Sequence, residues 1–265
     1  MRTSLIISTY NRPDALKLVL LSILQQTQLP HEIIVADDGS GEETRSVVND
    51  FRGQSPVPVI HVWQEDLGFR LARVRNLGVS KSRGDYLIFI DGDVILHPAF
   101  LASHLSASKE GLYLQGRRAM LSYRMTTRIL QNGRISISPF ALGISLRKHA
   151  FHIPVLSRIF SHTSPDWYHT LGANKSLWRK DFIAINGFNE DFEGWGREDS
   201  EFSLRLMRSG LQKFELRFCA IVFHLAHGKD NKVKYAEATE RNQQFLDDCA
   251  ASRMVWCENG FDHHL

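Results

Sequence analysis

Four short apolar runs punctuate the first third of the chain: SLIIS (4–8), EIIVA (32–36), VPVIHVW (57–63) and YLIFI (86–90). Near-continuous apolar runs of this length read as strands buried on both faces. Between them the period changes. Leu16, Leu20, Ile23 and Leu24 recur at helical spacing, and Pro13 suits a first helical turn. Glu42 to Phe51 reads as a second helix. Leu71 to Ser82 reads as a third, basic, with its apolar face at Leu71, Val74 and Leu77. Strands alternating with helices predict an α/β fold with a mostly parallel central sheet flanked by helices.

In such a sheet the ligand lies beyond the carboxyl ends of the strands. Three polar groups fall there: Ser8 to Arg12, Asp37-Asp38-Gly39-Ser40, and Asp91-Gly92-Asp93. They are expected to converge on one crevice. Asp91-Gly92-Asp93 reads either as a polar turn or as two carboxylates reaching toward a hard divalent cation that holds a diphosphate. Asp37-Asp38 reads as a turn with a helix cap, or as an acceptor for a nucleobase N–H. Arg70 and Arg73, three positions apart, would share a helix face. With Arg75 they read as a solvated basic face or as partners for a diphosphate.

The second half carries GFNEDFEGWGREDSEFSLRL (187–206). Gly194-Trp195-Gly196 surrounds an indole with permissive backbone. Glu198 and Asp199 then open a helix with Phe202 and Leu206 on its apolar face. Glu201 and Arg205 are spaced to pair at i,i+4. Acids in a first helical turn serve the helix dipole, but that role leaves the preceding GWG unexplained. An indole beside a carboxylate suits a sugar: the ring stacks on the apolar hexose face and the carboxylate takes a hydroxyl proton. Further on, the apolar strand FCAIVF ends at His224, with His227 three residues later. Together with Asp93 these would form a mixed O/N metal site, better suited to Mn²⁺ than to Mg²⁺. Val233 to Ala250 reads as a helix, packed on the core or mediating dimerisation, followed by a polar tail.

These blocks resemble family 2 inverting glycosyltransferases of the GT-A fold. SLIISTYNRP, VADDGS, LARVRNLG and YLIFIDGD carry the resemblance in the N-terminal portion. GANKSLWRKDFIAINGFNEDFEGWGREDSEFSLRL is similar to the C-terminal domain of animal β-galactosyltransferases and to bacterial chondroitin-type polymerases. HLAHGKDNK resembles the histidine loop that follows in the galactosyltransferases. The resemblance implies a nucleotide sugar, UDP-linked, as donor, and a glycan or lipid-linked glycan as acceptor. Ser8, Thr9, Tyr10 and Arg12 would line the uridine pocket, with Asp38 on the uracil and Arg70 and Arg73 near the nucleotide. Asp91 and Gly92 would meet the ribose or donor sugar. Asp93 and His227, with His224, would hold Mn²⁺ or Mg²⁺. Trp195 would sit against the sugars, Glu198 would bind a hydroxyl, and Asp199 would be the general base. The acidic run is EDSE rather than three consecutive acids, and Arg197 follows GWG. The implied portions are 1–95 for the nucleotide sugar, 96–232 for acceptor and catalysis within the same domain, and 233–265 for a C-terminal helix and tail.

Composition narrows the alternatives. At 265 residues, 43% hydrophobic and 23% charged, the chain is neither disordered nor fibrous as a whole. A net charge of +3 is weaker than a genome-binding protein usually shows, so no nucleic-acid partner is expected. Three cysteines without CxxC spacing argue against a disulfide scaffold or zinc ribbon. Leu5–Ile7 is too short for a signal-peptide core, and no run of apolar residues is long enough to span a bilayer. The expectation is a cytoplasmic protein, soluble or peripheral on the inner face of the membrane. The +3 is unevenly spread. Residues 111–165 contain no Asp or Glu and eight Lys or Arg. Such a segment suits an anionic lipid surface, an acidic or phosphorylated glycan acceptor, or a basic subdomain with a buried apolar face. Rival readings are a processive polysaccharide polymerase domain and a non-catalytic carbohydrate-binding protein. The second would keep Trp195 but needs neither the paired histidines nor the acids.

Overall fold

The structure, a computed structural model, describes residues 1–227 and 236–265. The expected start of the C-terminal helix at Val233 lies outside them, as does the end of the HLAHGKDNK loop. The chain opens with β1 (Thr3–Thr9), α1 (Pro13–Leu24), β2 (Glu32–Asp37), α2 (Glu42–Arg52), β3 (Val59–Trp63), α3 (Leu71–Lys81) and β4 (Tyr86–Asp91). It continues through β5 (Val94–Leu96), α4 (Phe100–Ala107), β6 (Leu112–Gln115), β7 (Arg118–Leu121), α5 (Tyr123–Asn132) and β8 (Ile144–Ser145). Then come α6 (Pro154–Phe160), β9 (His162–Ser164), β10 (Asn174–Trp178), α7 (Arg179–Ala184), α8 (Glu198–Arg208), β11 (Gln212–Glu215), β12 (Val222–His224) and α9 (Ala236–Ala251).

The main sheet runs β3-β2-β1-β4-β10-β6-β11-β9. Its first four strands are parallel, as the apolar runs imply, and β10 joins β4 antiparallel. Alternation along β1 shows why both faces are covered. Leu5 and Ile7 pack with Leu16, Leu20, Val35 and Phe100 on one side. Ile6 packs with Val74, Phe89, Phe182 and Phe202 on the other. Each such side chain taken out of water contributes about 1.5–3 kcal/mol. A second sheet, β5-β12-β7-β8, packs on α5 through Ile95, Ala119, Leu121, Ile129 and Phe223. Asp91 ends β4 in the main sheet and Val94 begins β5 in the second. The Asp-Gly-Asp turn is therefore the crease between the two sheets.

Several expectations need correction. The third strand begins at Val59 rather than Val57. Of the expected apolar face of α3, Val74 is buried while Leu71 and Leu77 are only partly buried against the core, and the buried set also takes in Ala72, Arg75, Asn76, Gly78 and Val79. Arg70 stands at the N-cap of α3 and not on its face. FCAIVF is not one strand: Phe218 and Ala220 take left-handed backbone (φ 56° and 48°), which ends ladder pairing and leaves only Val222–His224 extended. Cys219 is partly buried and packs against the first core. The tail after α9 is not simply polar, because Cys257 and Phe261 are buried and Phe261 meets Phe182 edge-on at 5.3 Å.

Candidate active site

The carboxyl ends of β1, β2 and β4 converge as expected. At β2, Asp38 is buried and accepts from the Arg70 backbone amide at 2.9 Å and from the Gln64 side chain. Arg73 donates to Gln64 Oε1 at 2.6 Å, so both expected arginines reach Asp38, one by its amide and the other through Gln64. Burial pushes Asp38 up to about 6, against the pull of these bonds. Tyr10 is exposed and donates to Asp66 Oδ2 at 3.0 Å. Ser8 and Thr9 are buried, and the Thr9 hydroxyl has no hydrogen-bond partner. The Gly92 amide donates to the Ser8 carbonyl at 2.7 Å, which ties the turn to the end of β1.

At the crease, Asp93, His224 and His227 each offer one ligand atom, all within 4.8 Å of one another. Residues on β5 and β12 make this possible: His224 pairs with Val94 across the second sheet, and the Leu225 amide donates to the Asp93 carbonyl at 2.9 Å. Arg12 donates to Asp93 Oδ2 at 3.1 Å, and His224 Nε2 lies 3.5 Å from the same oxygen. Asp93 Oδ1 and His224 Nδ1 are buried without a hydrogen-bond partner. Burial pushes His224 down, which favours the neutral imidazole that ligates metals. Two imidazoles, a carboxylate and an unsatisfied carboxylate oxygen fit a divalent cation of the Mn²⁺ type.

The third cluster centres on Arg75, which the sequence offered only as part of a solvated basic face or as a diphosphate partner. Arg75 is 1% exposed. Its guanidinium donates to Ser8 Oγ (3.2 Å), Asp91 Oδ1 (3.1 Å) and Asp199 Oδ1 (3.0 Å), lies 3.6 Å from Glu198, and covers the Phe188 ring. Burial opposes its charge, but Asp199, Asp91 and Glu198 more than offset that and hold it protonated. Burial pushes Asp91 up to about 6, against the pull of Arg75. Burial, then the neighbouring Asp199, push Glu198 up to about 8, so it carries a proton near neutrality. Asp199 is held from below by the buried Lys175, whose Nζ donates to Ser203 Oγ at 2.9 Å and to the Asp199 carbonyl at 3.4 Å. Burial brings Lys175 down to about 8.

Two glycines let this cluster close. A Cβ on Gly172 would stand 2.4 Å from an Arg75 nitrogen and 2.5 Å from both Asp199 carboxylate oxygens. Gly194 has φ +80°, and a Cβ there would meet Ala238 of α9 at 2.4 Å. α9 thus packs on the GWG loop, where Asn242 donates to the carbonyls of Glu193 (3.1 Å) and Gly196 (3.0 Å). Trp195 projects from that loop, 45% exposed. Arg197 takes left-handed backbone (φ 76°) and lies over the Tyr168 ring at 4.4 Å. The expected Glu201–Arg205 pair forms fully buried at 2.5 Å and anchors α8 to the Ile185 and Gly187 carbonyls.

The mostly parallel sheet, with an acidic turn at the end of β4, is the GT-A fold of glycosyltransferase domains. Solved structures agree on the fold. Staphylococcus aureus TarS 1–349 in complex with UDP-GlcNAc superposes with a TM-score of 0.66 at 16% identity, over 100% of this chain and 69% of that one. A Pyrobaculum calidifontis mannosyltransferase in complex with GDP-Man and Mn²⁺ superposes at 0.59 and 16% identity, over 95% and 69%. The profile of Glycosyl transferase family 2 matches residues 4–158, and that of the N-terminal domain of galactosyltransferase matches residues 156–228. The chain belongs to glycosyl transferase family 2. Validoxylamine A glucosyltransferase of Streptomyces hygroscopicus subsp. limoneus is 32% identical over 224 residues, 78% of this chain and 48% of that protein. Escherichia coli chondroitin synthase is 28% identical over 265 residues, 92% and 38% respectively. The chain thus spans less than half the length of these two relatives.

Proposed function

We propose that the chain is a metal-dependent inverting glycosyltransferase. It moves a hexose or N-acetylhexosamine from a UDP-sugar to a hydroxyl of a bacterial surface glycan or lipopolysaccharide-core acceptor. One observation carries this reading: Arg75 bonds Asp91 and Asp199 at once, while Asp93, two residues from Asp91, meets both histidines. A metal-ligand set and a candidate base therefore flank one crevice.

Asp38 would accept the uracil N–H, and Ser8, Thr9, Tyr10 and Arg12 would line the nucleotide. Asp93, His224 and His227 would hold Mn²⁺ or Mg²⁺, which when bound neutralises charge on the departing diphosphate. Trp195 would stack on the sugars. Glu198, protonated near neutrality, would donate to a sugar hydroxyl. Asp199 receives Arg75 through Oδ1, and Oδ2 would take the proton of the acceptor hydroxyl. The acceptor oxygen then bonds to the anomeric carbon as the bond to the diphosphate oxygen breaks on the opposite face. UDP leaves with the electron pair, and the anomeric configuration inverts.

The test is UDP release from a panel of UDP-sugars with Mn²⁺, with and without EDTA, in wild type and Asp93→Asn. Release that requires Mn²⁺ and is lost in the variant supports the reading. Metal-independent release, or none from any nucleotide sugar, sinks it. The match over 92% of the chain to a chondroitin synthase gives a second reading, a polymerase domain. Product length distinguishes it: single additions favour the first reading and long products the second.

A further inference from the structure

Eight of the seventeen exposed large apolar side chains among the described residues lie between 123 and 160: Tyr123, Phe140, Leu142, Leu146, Ile153, Val155, Ile159 and Phe160. Leu142 is 90% exposed and Phe140 75%. Exposed apolar side chains gathered in one stretch of chain mark an interaction surface. The same stretch falls within the segment free of Asp and Glu, and it carries Arg124, Arg128, Arg134, Arg147, Lys148 and Arg158.

Contacts link part of this stretch, and chain continuity brings α6 beside it. Phe140 packs on Phe151 at 5.4 Å, and Arg147 donates to the Pro139 carbonyl at 2.8 Å. Arg124, Arg128, Arg134 and Leu142 line one open cavity of about 1100 Å³ formed by α5 and residues 134–143. α6 follows Phe151 within three residues and buries none of its own side chains, so Val155, Ile159 and Phe160 face water beside Arg158.

We propose that this surface docks the protein on an anionic lipid bilayer. Apolar side chains would enter the acyl boundary while the arginines and Lys148 stay at the phosphate level. Charge decides against the main rival, a second copy of the chain, because a twofold contact through this face would set basic residues against basic residues. A purely polar acidic glycan would account for the arginines but not for Phe140, Leu142, Ile159 and Phe160. The surface adjoins the candidate active site. Met120 at the end of β7 pairs with His224, and Thr126 of α5 accepts from the Ala226 amide at 2.8 Å. Docking would therefore hold the histidine side of the crevice near the lipid headgroups. The inference does not depend on the reaction assigned above, because binding is read without turnover.

The test is flotation of the full chain with vesicles of phosphatidylcholine alone and of phosphatidylcholine mixed with phosphatidylglycerol. Flotation is expected only with the mixed vesicles, reversed by high salt as the charges are screened. Two variants, Phe140→Ser with Leu142→Ser and Arg124→Gln with Arg128→Gln, are each expected to lower bound protein at least several-fold. Thermal stability and UDP release should not change in either. No flotation, or equal flotation on both vesicle types, overturns the proposal. So does a dimer in sedimentation that the Phe140/Leu142 variant dissociates, or binding of a soluble acidic glycan without binding of vesicles.

Discussion

Arg75 and Asp199 lie 124 positions apart in the chain and meet at 3.0 Å in a setting where the guanidinium is almost wholly buried. The same guanidinium holds Asp91. Replacing it with a point charge would keep the sign but lose the fork that bridges two carboxylates. Arg75→Lys is expected to lower kcat by about tenfold or more, as catalytic geometry loosens. Arg75→Ala leaves a cluster of buried acids without a counter-charge, which costs about 3–5 kcal/mol. That should lower Tm by roughly 6–20 °C. Turnover and thermal melts of both variants check this.

Asp199→Asn should lower kcat by about 10²–10⁴-fold, the usual contribution of a positioned base. UDP affinity should hold, because Asp38 and Gln64 stand at a different strand end. Turnover alongside a calorimetric UDP titration reads both quantities, and wild-type turnover would remove Asp199 from the role.

Gly172→Ala brings a methyl against Arg75 and both Asp199 oxygens without changing any charge. Its kcat should fall while Mn²⁺ uptake persists, since His224 lies on β12 of the second sheet and Asp93 directly precedes β5 of that sheet. Metal titration with turnover on the same sample separates the two effects.

Glu198 gives a pH prediction. Burial raises its folded pKa to about 8, so the fold favours the protonated form. That contribution is fully present below the ordinary glutamate range and is lost as pH rises through about 8. Glu198→Gln cannot ionise. Its Tm relative to wild type should therefore climb between pH 5 and pH 9, by at least about 2 °C. A flat difference across that range would show that Glu198 is not held protonated.

How far the chain is legible follows from where its physics is local. Continuous apolar runs mark β1, β2 and β4, because a strand covered on both faces needs no polar alternation. The crease acids and the two histidines stand out because Asp91 and His224 end strands, with Asp93 two residues and His227 three residues beyond them. Arg75 did not, since an arginine on a basic helix looks like a solvated one. Its signal was positional: it falls three residues after Ala72 and four before Val79, on the face that packs against the sheet. Lys175 and Gly172 carry no such mark. Their importance comes from what α8 brings against them from later in the chain. The left-handed turns at Phe218 and Ala220 likewise arise from tertiary packing that overrides an apolar run.

Gly92 and Asp93 are the two residues that join β4 of the main sheet to β5 of the second. The metal-ligand set flanks β5 and β12 of one sheet, while Arg75 and Asp199 sit on α3 and α8, which pack against the other. A small sliding of one layer over the other would change the span between leaving group and nucleophile without disturbing either half. Substitutions far away, in the packing between α5 and its sheet, would then tune catalytic distance as effectively as changes in the crevice itself.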